Sequence, residues 1–215
     1  NEEGFFEPII NKEKCIKCSL CFKRCPQLND VKIEKKINIS KAFAVKNKNL
    51  EEQKKSSSGG IFSVLARYVL KNNGVVYFNE NFKLEHIRID KQESLYKLMG
   101  SKYLQSNTQN TFELVKKDLN DGVNVLYVGT PCQIAGLRSY LGKDYEDLLL
   151  VDLVCHGVPS QKLFDKYLTW LKKKNNSSII EYEFRSKEKN SWGLNLKVKF
   201  ESGKERYIPA NLDPY

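Results

Sequence analysis

The chain has 215 residues, 40% of them hydrophobic, so it can bury a core, and no apolar run approaches the ~20 residues of a membrane span. Its net charge is +10, but no basic stripe or binding module indicates nucleic acid, so the charge suits an acidic partner or a solvated lysine-rich surface. Six cysteines, most of them in one short run, fit a reducing cytoplasm better than a secreted disulfide framework.

The N-terminal part contains the cysteine run C-x2-C-x2-C-x3-C-P, which is Cys15, Cys18, Cys21 and Cys25 followed by Pro26. This is the bacterial ferredoxin spacing, in which three thiolates bind one 4Fe-4S cluster and the fourth binds another in two-cluster ferredoxins. Zinc sites favour two separated pairs of ligands, and cysteines two residues apart bridge poorly as disulfides. The run therefore predicts an iron–sulfur cluster, with zinc as the main alternative.

The middle of the chain changes from a polar linker to alternating helices and strands. Residues 31–57 are lysine-rich, with one apolar alternation, Ala42–Val45, that predicts a short strand. Beyond Ser58, hydrophobic periodicity and turn residues predict further elements. They are a helix at Ile61–Leu70 ended by Gly74, strands at Val75–Phe78 and Lys83–Asp90, and a short helix at Glu93–Met99.

The second half continues this alternation and then becomes period-two. It predicts a helix at Thr111–Leu119, a buried strand at Val123–Val128, a helix at Gln133–Leu141, a buried strand at Leu148–Val154 and a helix at Lys162–Lys173 capped by Ser160. The tail predicts an antiparallel meander of Ile179–Arg185, Gly193–Phe200 and Glu205–Ile208. We expect an α+β protein: a ferredoxin-like cluster module (1–30), a linker with a first strand (31–57), and an α/β domain (58–215) with a mixed sheet and the meander.

Two turns combine small polar residues with chemistry-bearing groups. Ser56–Gly60 precedes a helix, where free backbone N–H groups and the helix dipole favour an anion such as a phosphate or the polar rim of a flavin. A serine-glycine turn that only caps a helix is the commoner case. Gly100-Ser101-Lys102-Tyr103 is a second compact turn, with a cation and a phenol.

Two cysteines follow predicted strands. Gly129-Thr130-Pro131-Cys132-Gln133 places Pro131 at the first helical position and Cys132 at a helix N-terminus, which favours the thiolate. Cys132 could be a cluster ligand, a redox thiol, a cofactor contact or a small buried residue. Cys155 and His156 end the next strand, and the carboxyl ends of neighbouring parallel strands share one crevice. Cys132 and Cys155 should therefore lie near each other, and His156 is either an acid–base group or a structural histidine.

In order, these motifs resemble one family. The ferredoxin run, SSGG at a helix start, GSKY-x-QS, VLYVGTPCQIAGL and DLVCHGVPS resemble the beta subunits of coenzyme F420 hydrogenases and dehydrogenases. The resemblance implies an oxidoreductase that passes electrons from a ferredoxin-type donor through 4Fe-4S clusters and FAD to an organic acceptor. Family members usually carry two ferredoxin runs, so Cys15–Cys25 would be the second, and the chain is expected to be truncated at both ends. One cluster would then take its fourth ligand from upstream.

Mapped residue by residue, the resemblance and the turn chemistry give a set of candidate site residues. The cofactor contacts are Ser58, Gly59, Gly60, Gly100, Ser101, Tyr103, Gly129, Thr130 and Gln133; the catalytic residues are Cys132, His156 and Lys102; the metal ligands are Cys15, Cys18, Cys21, Cys25 and Cys155. Lys102 would stabilise negative charge on a reduced flavin. The expected partners are ferredoxin or another redox protein and a small organic acceptor, without nucleic acid or membrane, in the cytoplasm. The alternatives are a non-catalytic relay or adaptor subunit that holds clusters only and, less favoured, a zinc-binding interaction domain.

Overall fold

The computed structural model describes residues 1–29, 41–80, 84–189 and 194–215. Residues 31–40 of the predicted linker, together with Lys83 and Gly193 at the starts of two predicted strands, lie outside the described residues. The described helices are α1 (Leu20–Arg24), α2 (Leu50–Lys55), α3 (Ile61–Lys71), α4 (Thr111–Asn120), α5 (Pro131–Leu141) and α6 (Gln161–Asn175). Short 3-10 helices span Gln92–Leu98 and Ala210–Leu212.

A mixed four-stranded sheet forms the centre of the larger part. Its strands are β1 (Val75–Asn79), β2 (His86–Ile89), β3 (Val125–Gly129) and β4 (Leu148–Asp152), in the spatial order β2-β1-β3-β4. β2 is antiparallel to β1, whereas β1, β3 and β4 are parallel. The carboxyl ends of the three parallel strands and the start of β2 therefore meet at one edge, with Asn79 opposite His86 and Gly129 opposite Asp152.

Helices cover both faces of this sheet because alternate strand residues are apolar on opposite sides. On one face, α3 and the 3-10 helix Gln92–Leu98 pack against Val76, Leu126 and Val128. On the other, α4 and α5 pack against Val75 and Tyr127. All residues of β3 are buried, as expected for a central parallel strand covered on both faces.

The second sheet is an antiparallel meander. Its strands are β5 (Ile179–Glu183), β6 (Asn195–Phe200) and β7 (Glu205–Pro209), in that order. α6 lies against it through an aromatic core that includes Phe164, Tyr167, Phe184 and Phe200. The mixed sheet followed by an antiparallel sheet confirms the predicted α+β class.

Most predicted elements are present with shifted ends, but two predictions were wrong. Ala42–Val45 forms no strand; Phe43 and Val45 are exposed, and the amide of Asn47 donates instead to the carbonyl of Gly59 at 2.7 Å. The strand at Leu148–Val154 was predicted to be buried, whereas β4 ends at Asp152 and is only partly covered. Among the described strands, it pairs with β3 alone, so its leucine run lies at a sheet edge. The short helices α1 and α2 were not predicted.

The N-terminal segment packs on α5 and α6. Arg24 donates from Nη1 to the carbonyl of Ser139 at 2.9 Å, and Ser139 Oγ donates to the carbonyl of Arg24 at 2.5 Å. Near the start of α6, Lys162 donates from Nζ to the carbonyl of Glu2. The segment with the cysteine run is thus attached to the C-terminal half of α5. In the described part of the chain, no helix combines the length and apolar character needed to cross a bilayer.

Candidate functional site

The cysteine run spans an exposed loop and the short helix α1, and the backbone of the loop is unusual. Cys15, Cys18 and Cys21 are exposed and Cys25 is half-buried, all as free thiols. Lys17 and Ser19, on either side of Cys18, have φ values of 55° and 58°. This left-handed region costs an L-residue roughly 1–2 kcal/mol, and such strain is concentrated at functional sites. The spacing, the accessible thiols and the tight turns suit the ligands of an iron–sulfur cluster, although the described thiols are not gathered around one point in this structure.

Hydrogen bonds join the predicted cofactor segments at the common sheet edge. The turn before α3 and the turn at 100–103 meet directly, since the amide of Ser101 donates to Ser57 Oγ at 2.7 Å. The Gly129–Gln133 turn joins them through Gln133, whose Nε2 donates to the carbonyl of Ser106 at 3.1 Å. The three segments, which are far apart in the sequence, therefore line one region.

The turn into α5 has little freedom. Thr130 and Gln133 form a capping box, in which the amide of Thr130 donates to Gln133 Oε1 at 3.0 Å. Pro131 occupies the first helical position, as predicted. A Cβ on Gly129 would lie 3.1 Å from Gln133 Oε1, so this glycine is tightly packed under the box. The capping box consequently fixes the position of Gln133, the residue that reaches across to Ser106.

His86 is a buried residue of this edge that the sequence reasoning did not select. Its Nε2 lies 3.0 Å from the carbonyl of Val128 and its Nδ1 2.7 Å from Ser106 Oγ. A carbonyl only accepts, so Nε2 carries the proton and Nδ1 accepts from Ser106. Burial lowers the pKa of His86 to about 4. The missing signal was topological, because nothing near His86 in the sequence shows that β2 begins beside the end of β1.

The buried His86 predicts a pH-dependent stability. The unfolded chain takes up a proton near pH 6.5, whereas the folded chain resists it until about pH 4. Stability is therefore fully present above pH 6.5 and falls as the pH drops toward 4, by about 3 kcal/mol. We expect urea unfolding between about pH 7 and about pH 4.5 to show a smaller pH dependence for His86→Gln than for the wild type. His156→Gln is the matched control, and equal slopes for His86→Gln and wild type would contradict the expectation.

Lys102 lies partly buried behind the 100–103 turn. Its Nζ donates to the carbonyl of Leu98 at 2.7 Å and sits 5.0 Å from the centre of the Phe78 ring. Burial lowers the pKa of Lys102 to about 7, partly offset by the negative charge of Glu80. Its amino group can therefore hold or release a proton near neutral pH.

The two glycines of the SSGG turn serve the fold. A Cβ on Gly59 would lie 2.8 Å from the carbonyl oxygen of Val45, so the backbone leaves no room for a side chain there. Gly60 is the N-cap of α3 with φ of 77°, and no side chain of the described residues caps this helix. The first amides of α3 consequently remain available to an external acceptor. Ser58, next to them, is exposed.

Cys132 and Cys155 emerge from neighbouring parallel strands, as the sequence predicted, and both are exposed. Each thiol contacts its own turn. Cys132 Sγ lies 3.1 Å from Thr130 Oγ1, and Cys155 Sγ accepts from the amide of Gly157 at 3.4 Å. His156, next to Cys155, is exposed. The cysteine, histidine, aspartate and glutamate side chains of the described ranges form no group of three arranged around a common metal position. The roles of these three residues stay predictions.

Three features of the edge fit a flavin. A Cβ on Gly100, whose φ is 86°, would enter open space, so the turn presents bare backbone without a neighbouring side chain. Asn79 Oδ1 is buried without a hydrogen-bond partner among the described residues. The third feature is the uncapped N-terminus of α3, which can accept an anionic group. Together they offer a donor, an acceptor and a surface without side chains, which a flat polar cofactor requires.

Comparison with known proteins finds similarity for two segments of the chain. Residues 122–212 match the family model for the C terminus of the coenzyme F420 hydrogenase/dehydrogenase beta subunit, and residues 8–28 match the 4Fe-4S binding domain. The chain is also 54% identical over 22 residues to the ketoisovalerate oxidoreductase subunit VorD of Pyrococcus furiosus. That match covers 10% of this chain and 21% of VorD, so it is confined to a short segment. Both matches agree with the predicted resemblance: residues 122–212 are similar to the C terminus of the coenzyme F420 hydrogenase/dehydrogenase beta subunit, and residues 8–28 are similar to a 4Fe-4S binding domain.

Proposed function

We propose that the chain belongs to an iron–sulfur flavoprotein oxidoreductase that moves electrons from a ferredoxin-type donor through 4Fe-4S clusters and FAD to an organic acceptor. The observation that carries the proposal is the convergence of the three predicted cofactor segments. The Ser57–Ser101 and Gln133–Ser106 hydrogen bonds hold these segments at the carboxyl edge of the sheet, where open α/β sheets bind their ligands.

The residues of this edge divide into binding and reacting groups. The backbone of Ser58–Gly60, Gly100–Tyr103 and Gly129–Gln133 would hold FAD, a cofactor that exchanges single electrons with a cluster and electron pairs with an organic molecule. Lys102, with its pKa near 7, would supply a positive charge or a proton at Nζ. Cys132, at the N-terminus of α5, and His156 are the proposed catalytic groups on the neighbouring turns.

Helix α5 connects the cluster segment with this edge. Arg24, just before Cys25, contacts Ser139 near the C-terminal end of α5, whereas Cys132 lies in its first turn. The two positions are about 10 Å apart along the helix axis, from the rise of ~1.5 Å per residue. This arrangement supports electron entry at the cysteine run and exit at the sheet edge. The lysines around the run suit an acidic redox partner in the cytoplasm.

The direct test is to measure which cofactors the purified protein contains. The complete natural protein, purified anaerobically, should contain iron, acid-labile sulfide and stoichiometric FAD, and the bound flavin should be reduced by ferredoxin or dithionite. Iron and sulfide without flavin, in a stable complex with another protein, would instead support the relay or adaptor function. The short match to VorD, itself a subunit of an oxidoreductase, favours that second candidate.

Gly100 offers a test within the site. Gly100→Ala would place a methyl group in the open space beside the turn, and we expect it to weaken FAD binding at least tenfold. Gly122→Ala is the matched control, because Gly122 also has positive φ (73°) with no atom near its Cβ position, yet lies after α4. Both variants should lose stability by about 1–2 kcal/mol from the left-handed backbone. Equal FAD affinities, measured by fluorescence quenching, would contradict the proposed site.

A further inference from the structure

The loop after β5 reaches from the second sheet to the candidate site. Lys187 donates from Nζ to the carbonyls of Ser58 and Gln53, at 2.8 and 3.1 Å. Arg185 donates from Nη1 to the hydroxyl of Tyr103 at 3.4 Å. Because Ser57 also binds Ser101, these contacts close a ring that joins the turn before α3, the 100–103 turn and the β5–β6 loop.

Two positively charged side chains, Arg185 and Lys187, form part of this ring. Arg185 Nε is buried and has no hydrogen-bond partner in the described ranges, and none of the ion pairs found there includes Arg185. A guanidinium stays charged, and a buried charged donor without an acceptor is costly. Burial, and then the charge of Arg185, lower the pKa of Lys187. Lys187 thus sits at the carbonyl of Ser58, and Arg185 is close enough for its charge to act on Lys187.

The N-terminus of α3 adds to the same field. Its N-cap, Gly60, comes two residues after Ser58, and among the described residues no side chain caps it. Free amides and the helix dipole favour an anion at this point. Lys187 contacts the carbonyl of Ser58, two residues before the N-cap of α3, and the charge of Arg185 acts on Lys187, so an anion at this position would accept from the helix start and from Arg185 Nε.

We propose that the N-terminus of α3, Arg185 and Lys187 form a subsite for an anionic group, a phosphate or a carboxylate, at the junction of the two sheets. The anionic group belongs either to the phosphates of the dinucleotide cofactor or to an acidic organic acceptor. Only this choice of ligand rests on the proposed function. The forked guanidinium of Arg185 suits either oxyanion.

Binding of inorganic pyrophosphate to the complete protein tests the subsite directly. We expect Arg185→Gln to weaken pyrophosphate binding by about 10- to 100-fold, the loss typical of a hydrogen bond to a charged group. Lys187→Gln should weaken pyrophosphate binding less than Arg185→Gln, because Lys187 Nζ also donates to the backbone carbonyls of Ser58 and Gln53. Arg185→Lys keeps the charge but not the fork, so it tests the site even if the glutamine variant folds poorly. Calorimetric titration gives the affinities, and circular dichroism checks the fold.

Two control variants remove the same single charge elsewhere. Lys189→Gln changes a lysine of the same loop whose Nζ lies 4.1 Å from the centre of the Tyr207 ring. Arg206→Gln changes an arginine on β7 that donates to Asn175. Both should bind pyrophosphate as the wild type does. If all four charge-removing variants weaken binding equally, the anion is held by net charge alone, and the subsite is overturned. It is also overturned if Arg185→Gln and Arg185→Lys bind like the wild type.

Flavin-binding measurements distinguish the cofactor phosphates from an acidic acceptor as the ligand of the subsite. If Arg185→Gln weakens FAD binding but not riboflavin binding, the subsite holds the cofactor phosphates. If FAD affinity is unchanged and the FAD-loaded wild type still binds pyrophosphate through Arg185, it holds an acidic acceptor. Arg185-dependent pyrophosphate binding by a protein that never takes up flavin would reject the proposed flavoenzyme and retain the subsite.

Discussion

Cys18→Ala should remove most of the iron and acid-labile sulfide from the anaerobically purified protein. Cys18 is the middle of the three closely spaced thiols, in a segment that matches the 4Fe-4S binding domain, and a cubane cluster needs each of its thiolate ligands. The visible absorption of the cluster and its reduced-state EPR signal should disappear with the iron. Because the loop is exposed and α1 buries no residue, the rest of the fold should persist.

Ile16→Ala is the matched control for this loss. Ile16 is 83% exposed within the same loop and carries no ligand atom. The Ile16→Ala protein should therefore contain as much iron and sulfide as the wild type. Cys155→Ala, measured in parallel, tests the predicted fifth ligand: its iron content falls only if Cys155 binds a cluster. Unchanged iron in Cys18→Ala, or zinc without sulfide in the wild type, would reject the cluster assignment.

Gly59→Ala should destabilise the fold by about 1–3 kcal/mol, the usual cost of overpacking. The new Cβ would lie 2.8 Å from the carbonyl oxygen of Val45, and a backbone atom cannot move aside as a side chain can. Relieving the clash would break the bond from the Asn47 amide to the Gly59 carbonyl. Asn47 itself is buried and donates to Glu52 and Ser63, so the start of α3 would shift with it.

Gly136→Ala is the contrasting variant. Its Cβ would meet only ordinary contacts, the nearest being 3.4 Å to the Phe112 ring, and it lies inside α5. Alanine favours a helix interior over glycine by roughly 1 kcal/mol, so this change should leave stability equal or higher. Urea unfolding of both variants at neutral pH measures the difference. A Gly59→Ala protein as stable as the wild type would show that the SSGG turn yields easily and that its glycines serve a ligand only.

The predicted cofactor residues show what a sequence pattern can and cannot predict about a site. SSGG was selected as a cofactor turn, yet Gly59 is packed against the backbone of Val45, so its smallness has a structural reason. Gly100 faces open space, so only there does the absence of a side chain leave room for a ligand. The two glycines look alike in sequence, because a close approach by a distant segment leaves no local signal. The leucine run of β4 predicted a buried strand, and this was wrong for the same reason. Apolar residues in a strand do not show whether the strand lies at the centre or at the edge of a sheet.

The cysteine run, the family resemblance, and the type and order of most helices and strands could be read directly from the amino-acid sequence. These features follow from spacing, capping residues and hydrophobic periodicity, which are interactions between near neighbours in the chain. Which turns lie together, in contrast, became visible only in the folded chain. The contacts that bring the candidate site together join Ser101 to Ser57, Gln133 to Ser106 and Lys187 to Ser58, across 44, 27 and 129 residues. Such pairs depend on strand order and sheet packing, which is why His86 and Arg185 emerged as candidates from the fold and from no local pattern.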